Sequence, residues 1–317
     1  MAQVKRMDHE PLWGITSYFN PVGYTRRLEN YRLFRKHLSI PLVAVELSFN
    51  GRFELDHKDA DILVQIQGAD VMWQKERLLN IAVMRVPSAC DRIAWIDCDI
   101  IFGSDDWVEQ TVQALDDFAL VHLFQERHDL KHEVNWKQLR SWDAPPSSQS
   151  IISKLSQNQA APEDFYMSDA PLSRRSTAGL AWASHRALLE RHGLYDAAIL
   201  GSGDRAILCA ALGKFEYAAR ALMMNAQRVE HYNLWARRYF AATQGRVGNI
   251  QGRLFHLWHG AIQDRQYESR HRYFQQFDFN PFNDIAIAPS GAWCWRSNKT
   301  EMHDFIKAYF ESRHEDD

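Results

Sequence analysis

The stretch Arg92–Phe102, "RIAWIDCDIIF", places two carboxylates inside an apolar run. A near-continuous apolar run of this length is typical of a strand that is buried on both faces of a parallel sheet. Because side chains alternate along a strand, an unbroken strand would place Asp97 and Asp99 on one face and Cys98 on the other. A buried charge is costly unless something pairs with it, so this face is predicted to meet a ligand.

Segments of strand and helix character alternate up to residue 124, which is typical of an α/β protein with a parallel sheet. The predicted strands are 12–19, 41–49, 61–67, 92–102 and 118–124, and the predicted helices are 25–38, 73–87 and one that begins after 104. Ligands of open α/β sheets bind at the carboxyl ends of the strands. Asp97 and Asp99 fall at such an end.

The second half of the chain is less regular. Residues 141–162 are rich in Ser, Gln and Pro and predict a loop or a lid. The further predictions are a strand at 177–184, a helix at 185–192, a small-residue turn that leads into a helix at 200–213, a largely helical segment at 216–244 and a final strand at 253–260. The acidic tail after Glu311 is predicted to fray.

Composition narrows the class of protein. The chain has 317 residues, of which 46% are hydrophobic and 24% charged, as in ordinary globular proteins. A net charge of −3 without a long basic run argues against nucleic-acid binding. The four cysteines lack the spacing of a zinc ribbon or a disulfide framework. With no signal-peptide core and no transmembrane stretch, the sequence predicts a cytoplasmic protein.

Two carboxylates that point into one cleft suit Mg²⁺ or Mn²⁺, which also bind phosphate oxygens. Asp-x-Asp is a short motif, however, and two acids at a strand end can equally cap neighbouring loops. The apolar run before the motif and its place after alternating strands and helices favour the metal site.

Three segments resemble nucleotide-sugar glycosyltransferases of the GT-A fold. Residues 73–102 resemble the donor-site region of this family, in which a helix with a basic residue precedes an Asp-x-Asp strand. They are especially similar to the beta-1,4-galactosyltransferase and chondroitin-polymerase type. Residues 176–207 resemble the acceptor-side block, and residues 254–260 resemble the late segment that gives a histidine to the metal.

The resemblance covers most of the chain and implies one α/β domain over 1–317 with a GT-A, Rossmann-like fold. That fold has a mixed, mostly parallel central sheet flanked by helices. The implied parts are a donor-binding half at 10–125, an acceptor-binding and catalytic half at 165–265, and a largely helical C-terminal extension at 266–317.

The resemblance also implies a metal site. It makes Asp99 the direct metal ligand and gives Asp97 the ribose or a metal-bound water. His256 and His259 compete for the next ligand position. His256 matches the family position better, and the alternative for either histidine is a packed side chain beside Trp258.

On the acceptor side, the resemblance makes Asp204 the general base that deprotonates the acceptor hydroxyl. Asp204 also fits a helix N-cap, and the two roles are compatible. Gly179, Trp182 and Gly203 fall where the family shapes the sugar and acceptor pocket, although Trp182 equally fits the core.

On the donor side, Lys75 matches the basic residue that contacts the diphosphate, with a solvated lysine as the alternative. The family cradles its nucleotide at the ends of the first two strands. The residues there are Thr16, Ser17, Tyr18, Phe19 and Glu46. For Glu46, simple exposure is an equal alternative.

The predicted function is therefore a metal-dependent glycosyltransferase of carbohydrate biosynthesis. It would use Mn²⁺ or Mg²⁺ and a UDP-sugar, and its acceptor would be a glycan, a lipid-linked molecule or a protein. The family turn has consecutive acids, whereas this chain has Gly201-Ser-Gly-Asp-Arg205. Asp204 at the family position indicates inversion, and the missing acid leaves a catalytically degenerate sugar-nucleotide or carbohydrate-binding protein as the alternative.

Two other enzyme classes fit less well. The nucleophile motif of haloacid-dehalogenase phosphatases lies near the N-terminus and continues to a Thr or Val, whereas Ile100 and Ile101 follow here. A sugar nucleotidyltransferase needs a Gly-rich phosphate loop after its first strand, and "WGITSYFNP" (13–21) is not one.

Overall fold

A seven-stranded sheet forms the centre of the computed structural model, which describes residues 11–132, 139, 143–159, 176–267 and 269–317. Its strands are β1 (Trp13–Phe19), β2 (Leu42–Ser48), β3 (Ile62–Gln67), β4 (Arg92–Ile96), β6 (Leu120–His122), β9 (Ala181–His185) and β10 (Val247–Asn249). They lie in the order β10-β6-β9-β4-β1-β2-β3. Only β9 within this sheet runs antiparallel to its neighbours, which confirms the predicted α/β class with a mixed, mostly parallel sheet.

The central strands are apolar on both sides because both faces of the sheet are covered. In β4, Ile93 and Trp95 belong to the larger apolar cluster, while Ala94 and Ile96 belong to a second cluster on the opposite face. All four side chains are almost completely buried. The alternation of a strand therefore holds within β4, with both of its faces in the core.

Helices cover this sheet and extend beyond it. They are α1 (Thr25–His37), α2 (Lys75–Val83), α3 (Trp107–Asp117), α4 (Ile151–Ser156), α5 (Arg186–His192), α6 (Gly203–Ala211), α7 (Phe215–Ala221), α8 (Ala226–Thr243), α9 (Ser269–Phe274), α10 (Pro281–Asp284) and α11 (Thr300–Glu311). Two short 3₁₀ turns lie at Ile262–Arg265 and Gln275–Phe277. In the part of the chain that the structure describes, every helix is too short or too polar to span a bilayer.

A second, four-stranded sheet has the order β5-β11-β7-β8. It consists of β5 (Ile100–Phe102), β7 (Glu126–Asp129), β8 (Ser148–Gln149) and β11 (Arg253–His256). A hairpin of β12 (Ile285–Ile287) and β13 (Trp293–Trp295) follows, so the prediction that 253–260 holds the final strand is wrong.

The predicted single strand 92–102 is two strands in two sheets. β4 ends at Ile96 in the central sheet, and β5 begins at Ile100 in the second sheet. Between them, the Asp97 N–H donates to the Leu180 carbonyl at 2.7 Å, and the Leu257 N–H donates to the Asp99 carbonyl at 2.8 Å. Strand alternation therefore does not apply to residues 97–99, and the prediction that both carboxylates share one face for that reason is wrong.

Two other expectations are corrected. Within the predicted loop 141–162, residues 141–142 and 160–162 lie outside the described residues, but 143–159 contain β8 and α4. The Ser150 hydroxyl caps α4 by accepting from the Ser153 N–H, which explains why a serine-rich segment is helical there. The acidic tail is ordered, because α11 runs to Glu311 and Glu315 is only 1% exposed.

The burial of β4 gives a stability prediction. Ile93→Ala removes methyl groups from a side chain that is 0% exposed, and we expect it to lower the free energy of unfolding by about 3 kcal/mol. The control, Leu234→Ala, changes a side chain that is 55% exposed and should cost less than about 0.5 kcal/mol. Urea-induced unfolding measures both, and equal losses would contradict the assignment of β4 to the core.

Candidate metal and acid–base site

Asp99, His256 and His259 form a compact group of potential metal ligands, which we call the metal triad. One ligand atom from each lies within 4.8 Å of the others. The Asp99 Oδ2 is 3.0 Å from the His259 Nε2 and 3.8 Å from the His256 Nε2. The two Nε2 atoms are 3.1 Å apart. Both histidines are therefore at the site, where the sequence left a choice between them.

The second sheet brings the triad together. β11 runs antiparallel to β5, and this register places His256 opposite Ile100, next to Asp99. β11 also runs parallel to β7, which places His256 opposite Asp129. The Asp129 Oδ1 lies 2.9 Å from the His256 Nδ1, and the Arg127 guanidinium donates to the other Asp129 oxygen at 2.8 Å.

These contacts orient the imidazole of His256. Burial opposes the charge of Asp129, but the His256 hydrogen bond and Arg127 hold the pKa of this carboxyl well below its usual range. An ionised Asp129 accepts from the Nδ1–H of His256, and the Nε2 of the same ring then faces Asp99. A carboxylate behind a histidine is the usual support of a metal-binding imidazole.

The protonation states of the triad suit a divalent cation. Burial opposes the charge of Asp99, but His259, His256 and Arg265 hold the pKa of this carboxyl far below its usual value. Burial and the nearby Arg265 lower the pKa of His259 to about 4, so its imidazole is neutral at pH 7. The buried Asp99 Oδ1 has no hydrogen-bond partner among the described residues. An ionised carboxylate with an unpartnered oxygen beside two histidine nitrogens fits Mn²⁺ or Mg²⁺ chemistry.

Asp97 faces a different partner. The Lys75 Nζ lies 2.5 Å from the Asp97 Oδ1 and 2.7 Å from the Asp204 Oδ2. Burial opposes the charge of Lys75, but the two carboxylates raise its pKa well above the usual value. One ammonium serves two carboxylates, and burial together with Asp204 raises the pKa of Asp97 to about 7. The structure thus brings Lys75, Asp97 and Asp204 together as a partly buried group of candidate acid–base residues.

Two glycines make room for this group. A Cβ at Gly179 would lie 2.7 Å from the Asp204 Oδ2, so a larger residue there would displace the carboxylate. A Cβ at Gly203 would overlap the carboxyl of Glu76, which is 2% exposed. The Glu76 Oε1 has no hydrogen-bond partner within the described ranges. Burial and the charge of Asp204 outweigh Lys75 and raise the pKa of Glu76 to about 8.

The side chains that were predicted to bind the nucleotide mainly form hydrogen bonds within the protein. The Thr16 hydroxyl is buried and donates to the Ile96 carbonyl at 2.7 Å. The Tyr18 hydroxyl donates to Glu54 at 2.7 Å, and Glu46 accepts from the Glu54 N–H at 2.6 Å. Glu46 is also 2% exposed, so it is not on the surface. Ser17 is half-buried beside them at the end of β1.

The aromatic candidates are packed. The ring of Phe19 is 5% exposed and meets Trp73 edge-on. Trp182 is 2% exposed and stacks on Trp95 and His122, which favours its core alternative.

Sequence patterns did not single out Asp129, Glu76 or His122. His122 is buried, and its Nε2 lies 2.9 Å from the Gly179 carbonyl. It therefore helps to position the backbone of Gly179, which lies beside Asp204. Burial lowers the pKa of His122 to about 3, so it is a neutral hydrogen-bonding group. Glu76 follows Lys75 in the first turn of α2 and precedes Arg77, so its sequence context is also that of a solvated glutamate. The positions of Asp129 and His122 depend on strand register alone.

Comparison with known proteins gives only distant structural likenesses. No protein-family model matches the sequence, and the search of curated proteins found no match. Among solved structures, S. aureus TarS 1–349 is 10% identical, with a TM-score of 0.39 over 96% of this chain and 72% of that one. The chain spans 43% of a longer TarS structure.

Two further structures show similar values. A glucosyl-3-phosphoglycerate synthase from Mycobacterium tuberculosis, in complex with Mn²⁺, uridine diphosphate and phosphoglyceric acid, is 10% identical with a TM-score of 0.36, covering 84% and 76% of the two chains. A 4-diphosphocytidyl-2C-methyl-D-erythritol synthase from Anaerococcus prevotii is 10% identical with a TM-score of 0.35, covering 76% and 88%. Likenesses at these scores carry no inference about what this chain does.

The raised pKa of Glu76 predicts a pH-dependent stability. A carboxyl whose pKa is raised on folding contributes stability that is complete below its ordinary pKa of 4.5 and is lost as the pH rises through about 8. Glu76→Gln keeps the side chain neutral at every pH. We expect it to match the wild-type stability at pH 5 and to exceed it at pH 9 by at least about 1 kcal/mol.

Denaturant unfolding at the two pH values measures this difference. The control is Glu230→Gln, which changes an exposed carboxylate on α8, and its stability relative to the wild type should be the same at pH 5 and pH 9. A Glu76→Gln variant that is less stable than the wild type at pH 9 would show that Glu76 is ionised and paired.

Proposed function

We propose that this protein is a metal-dependent glycosyltransferase that moves a sugar from a nucleotide diphosphate sugar to an acceptor hydroxyl. The observation that carries the proposal is the arrangement of the metal triad beside the Lys75, Asp97 and Asp204 group. Asp97 and Asp99 are two residues apart, so a cation site and an acid–base group meet at the carboxyl end of β4. This edge is where α/β sheets bind their ligands.

Asp99, His256 and His259 would hold the cation, with Asp129 orienting His256. A divalent cation bound there supplies positive charge for a diphosphate, whose negative charge grows as the sugar leaves. The neutral imidazole of His259 and the unpartnered Asp99 oxygen support this assignment. The resemblance of the sequence to GT-A enzymes supports UDP as the nucleotide.

Asp204 is the candidate general base. The acceptor hydroxyl oxygen forms a bond to the anomeric carbon, the bond from that carbon to the phosphate oxygen breaks, and the hydroxyl proton passes to Asp204. Attack from the side opposite the leaving group inverts the anomeric configuration. Gly179 supports this role because its missing side chain leaves the Asp204 carboxylate in place.

Lys75 contacts both carboxylates of the acid–base group. Its ammonium lies 2.7 Å from the Asp204 Oδ2 and so positions the carboxylate that would accept the proton. The acceptor in this proposal is a glycan, a lipid-linked molecule or a protein.

A second candidate is a protein that binds a sugar nucleotide without transferring the sugar. It is favoured by the Lys75–Asp204 contact, which ties up the one acid of the turn. Metal-dependent UDP binding without transfer or slow hydrolysis of any donor would support this candidate over the enzyme.

The metal assignment predicts the behaviour of Asp99→Asn. Removing the charge of the central ligand should weaken Mn²⁺-dependent UDP binding by at least about 100-fold, because ligand and supporting carboxylates both contribute strongly to metal affinity. Isothermal titration calorimetry measures this affinity. The control Asp116→Asn changes a carboxylate with 69% of its side chain exposed and should leave it unchanged.

The donor can be found by screening nucleotide sugars for Mn²⁺-dependent thermal stabilisation, since a ligand that binds only the folded state raises the melting temperature. Stabilisation of Asp99→Asn equal to that of the wild type would contradict the metal site.

The base assignment predicts that Asp204→Asn retains Mn²⁺-dependent UDP affinity while kcat falls by about 10²–10⁴-fold. Asp196→Asn is the matched control, because Asp196 also pairs with a cation, Arg77, but lies outside the acid–base group. Steady-state kinetics and the anomeric configuration of the product are the measurements. A product with retained configuration would contradict a general base at Asp204.

A further inference from the structure

Four arginines lie beside the metal triad, near Tyr309 and Glu315, and we call them the arginine cluster. They are Arg27 on α1, Arg265 in the first 3₁₀ turn, Arg270 on α9, and Arg313 just after α11. Arg265, Arg270 and Arg313 are 9%, 3% and 5% exposed. Guanidinium groups are rarely buried without partners, so this concentration of charge calls for an explanation.

The arginine cluster contacts the loop of His259 and the turn before Asp204, and two of its members contact Tyr309. Arg270 and Arg313 both donate to the Tyr309 hydroxyl, the latter at 3.2 Å. Arg270 also donates to the Ser202 hydroxyl at 2.9 Å, in the turn before Asp204. Arg265 approaches the carbonyl of His259 at 3.5 Å. The cluster therefore lies between the loop that carries His259, which we call the metal loop, and the turn Gly201–Arg205.

The charge of the cluster is poorly balanced. Of the carboxylates in the described ranges, only Glu315 forms an ion pair with any of the four arginines. The buried Nε atoms of Arg265 and Arg270 have no partner in the same ranges. Burial opposes ionisation of Tyr309, but Arg270 and Arg313 lower its pKa below the usual value. Four guanidinium groups against one carboxylate leave room for a further anion.

Glu315 sits in this cluster as a bound anion would. Its Oε2 lies 2.5 Å from the Arg27 Nε, and its Oε1 lies 2.8 Å from the second Arg27 nitrogen and 2.5 Å from the Arg313 Nε. Burial opposes the charge, but Arg27 and Arg313 hold the pKa of Glu315 well below its usual range. A two-pronged arginine contact of this kind binds carboxylate and phosphate alike.

The segment that carries Glu315 lies directly on the metal loop. Gly260, which follows His259, has a φ of +87°, and a Cβ there would lie 2.8 Å from the His314 carbonyl. On its other side, the Asp316 carboxylate accepts from the N–H groups of Thr25 and Arg26 at 3.0 and 2.8 Å. The tail is thus held by polar contacts around one buried carboxylate.

We propose that Glu315 occupies a phosphate-binding pocket of the unliganded protein, formed by Arg27 and Arg313 with Arg265 and Arg270 beside them, and that a diphosphate displaces it. That the diphosphate belongs to a nucleotide sugar rests on the proposed function. That the pocket takes an oxyanion rests on the arginines. Displacement replaces one negative charge by two or more and frees the tail from the metal loop.

The alternative is that Glu315 only clasps the tail, and the two cases differ in the sign of one effect. The test is Glu315→Gln with inorganic pyrophosphate as the probe, in the presence of a metal chelator. If Glu315 competes with phosphate, the variant binds pyrophosphate about tenfold more tightly than the wild type, and its melting temperature without ligand falls. If Glu315 is only a clasp, the affinity is unchanged or weaker.

The control is Asp284→Asn, which removes a carboxylate that is 3% exposed and paired with Lys299 at 2.9 Å away from the cluster. It should lose stability without gaining pyrophosphate affinity. Arg313→Gln should weaken pyrophosphate binding at least tenfold. Hydrogen exchange of residues 312–317 in the wild-type protein needs no variant, and we expect it to become faster when pyrophosphate binds.

The outcomes separate this inference from the proposed function. One outcome is that Mn²⁺ and UDP bind, but Glu315→Gln leaves the affinities for pyrophosphate and UDP unchanged and residues 312–317 stay protected from exchange. The proposed displacement of Glu315 is then overturned, and the proposed function stands. If pyrophosphate behaves as expected but no nucleotide diphosphate binds with Mn²⁺, the pocket stands and the glycosyltransferase proposal fails. Should Glu315→Gln not fold, unchanged exchange of 312–317 in the wild type overturns the displacement by itself.

Discussion

The passage of the chain from one sheet to the other between Ile96 and Ile100 is the constraint on which the site depends. In a continuous strand, residues 97–99 would lie in one ladder, with their side chains on alternating faces of the sheet. Instead, the chain crosses between the two sheets at this point. The Asp97 N–H donates to the Leu180 carbonyl just before β9, and the Asp99 carbonyl accepts from the Leu257 N–H just after β11. Each carboxylate then meets its own partners, Lys75 for Asp97 and His259 for Asp99.

The separation matters electrostatically. Two carboxylates that share one face would need a cation merely to coexist, whereas here each has a basic neighbour in the protein. Asp99 is held ionised by the histidines, and one of its oxygens stays unpartnered. Asp97 shares the Lys75 ammonium with Asp204. The molecule therefore places the metal triad, as a candidate cation site, beside the Lys75, Asp97 and Asp204 group, and the arginine cluster lies next to both.

The sequence predicted much of the framework. Strands 13–19, 42–48 and 62–67 and the helix 25–37 agree closely with their patterns, since local periodicity and turn residues decide such elements. The predicted helix 73–87 is longer than α2, which spans Lys75–Val83. The break at 97–99 was not predicted, because an apolar run has the same pattern whether it stays in one sheet or crosses between two. The ordered tail was missed because its acidic residues look solvated unless buried arginines are known to face them.

By itself, the sequence determined the α/β class and the residue types of the site: an Asp-x-Asp motif, a late pair of histidines and a lysine that heads a helix. Those follow from local pattern and from chemistry that each residue carries alone. Only the tertiary structure decided the partners. Asp129 supports His256 through the register of β7 and β11, Glu76 fills the space that Gly203 leaves open, and Glu315 enters the arginine cluster. Such contacts join residues far apart in the chain, and burial, which no local pattern contains, sets their charge states.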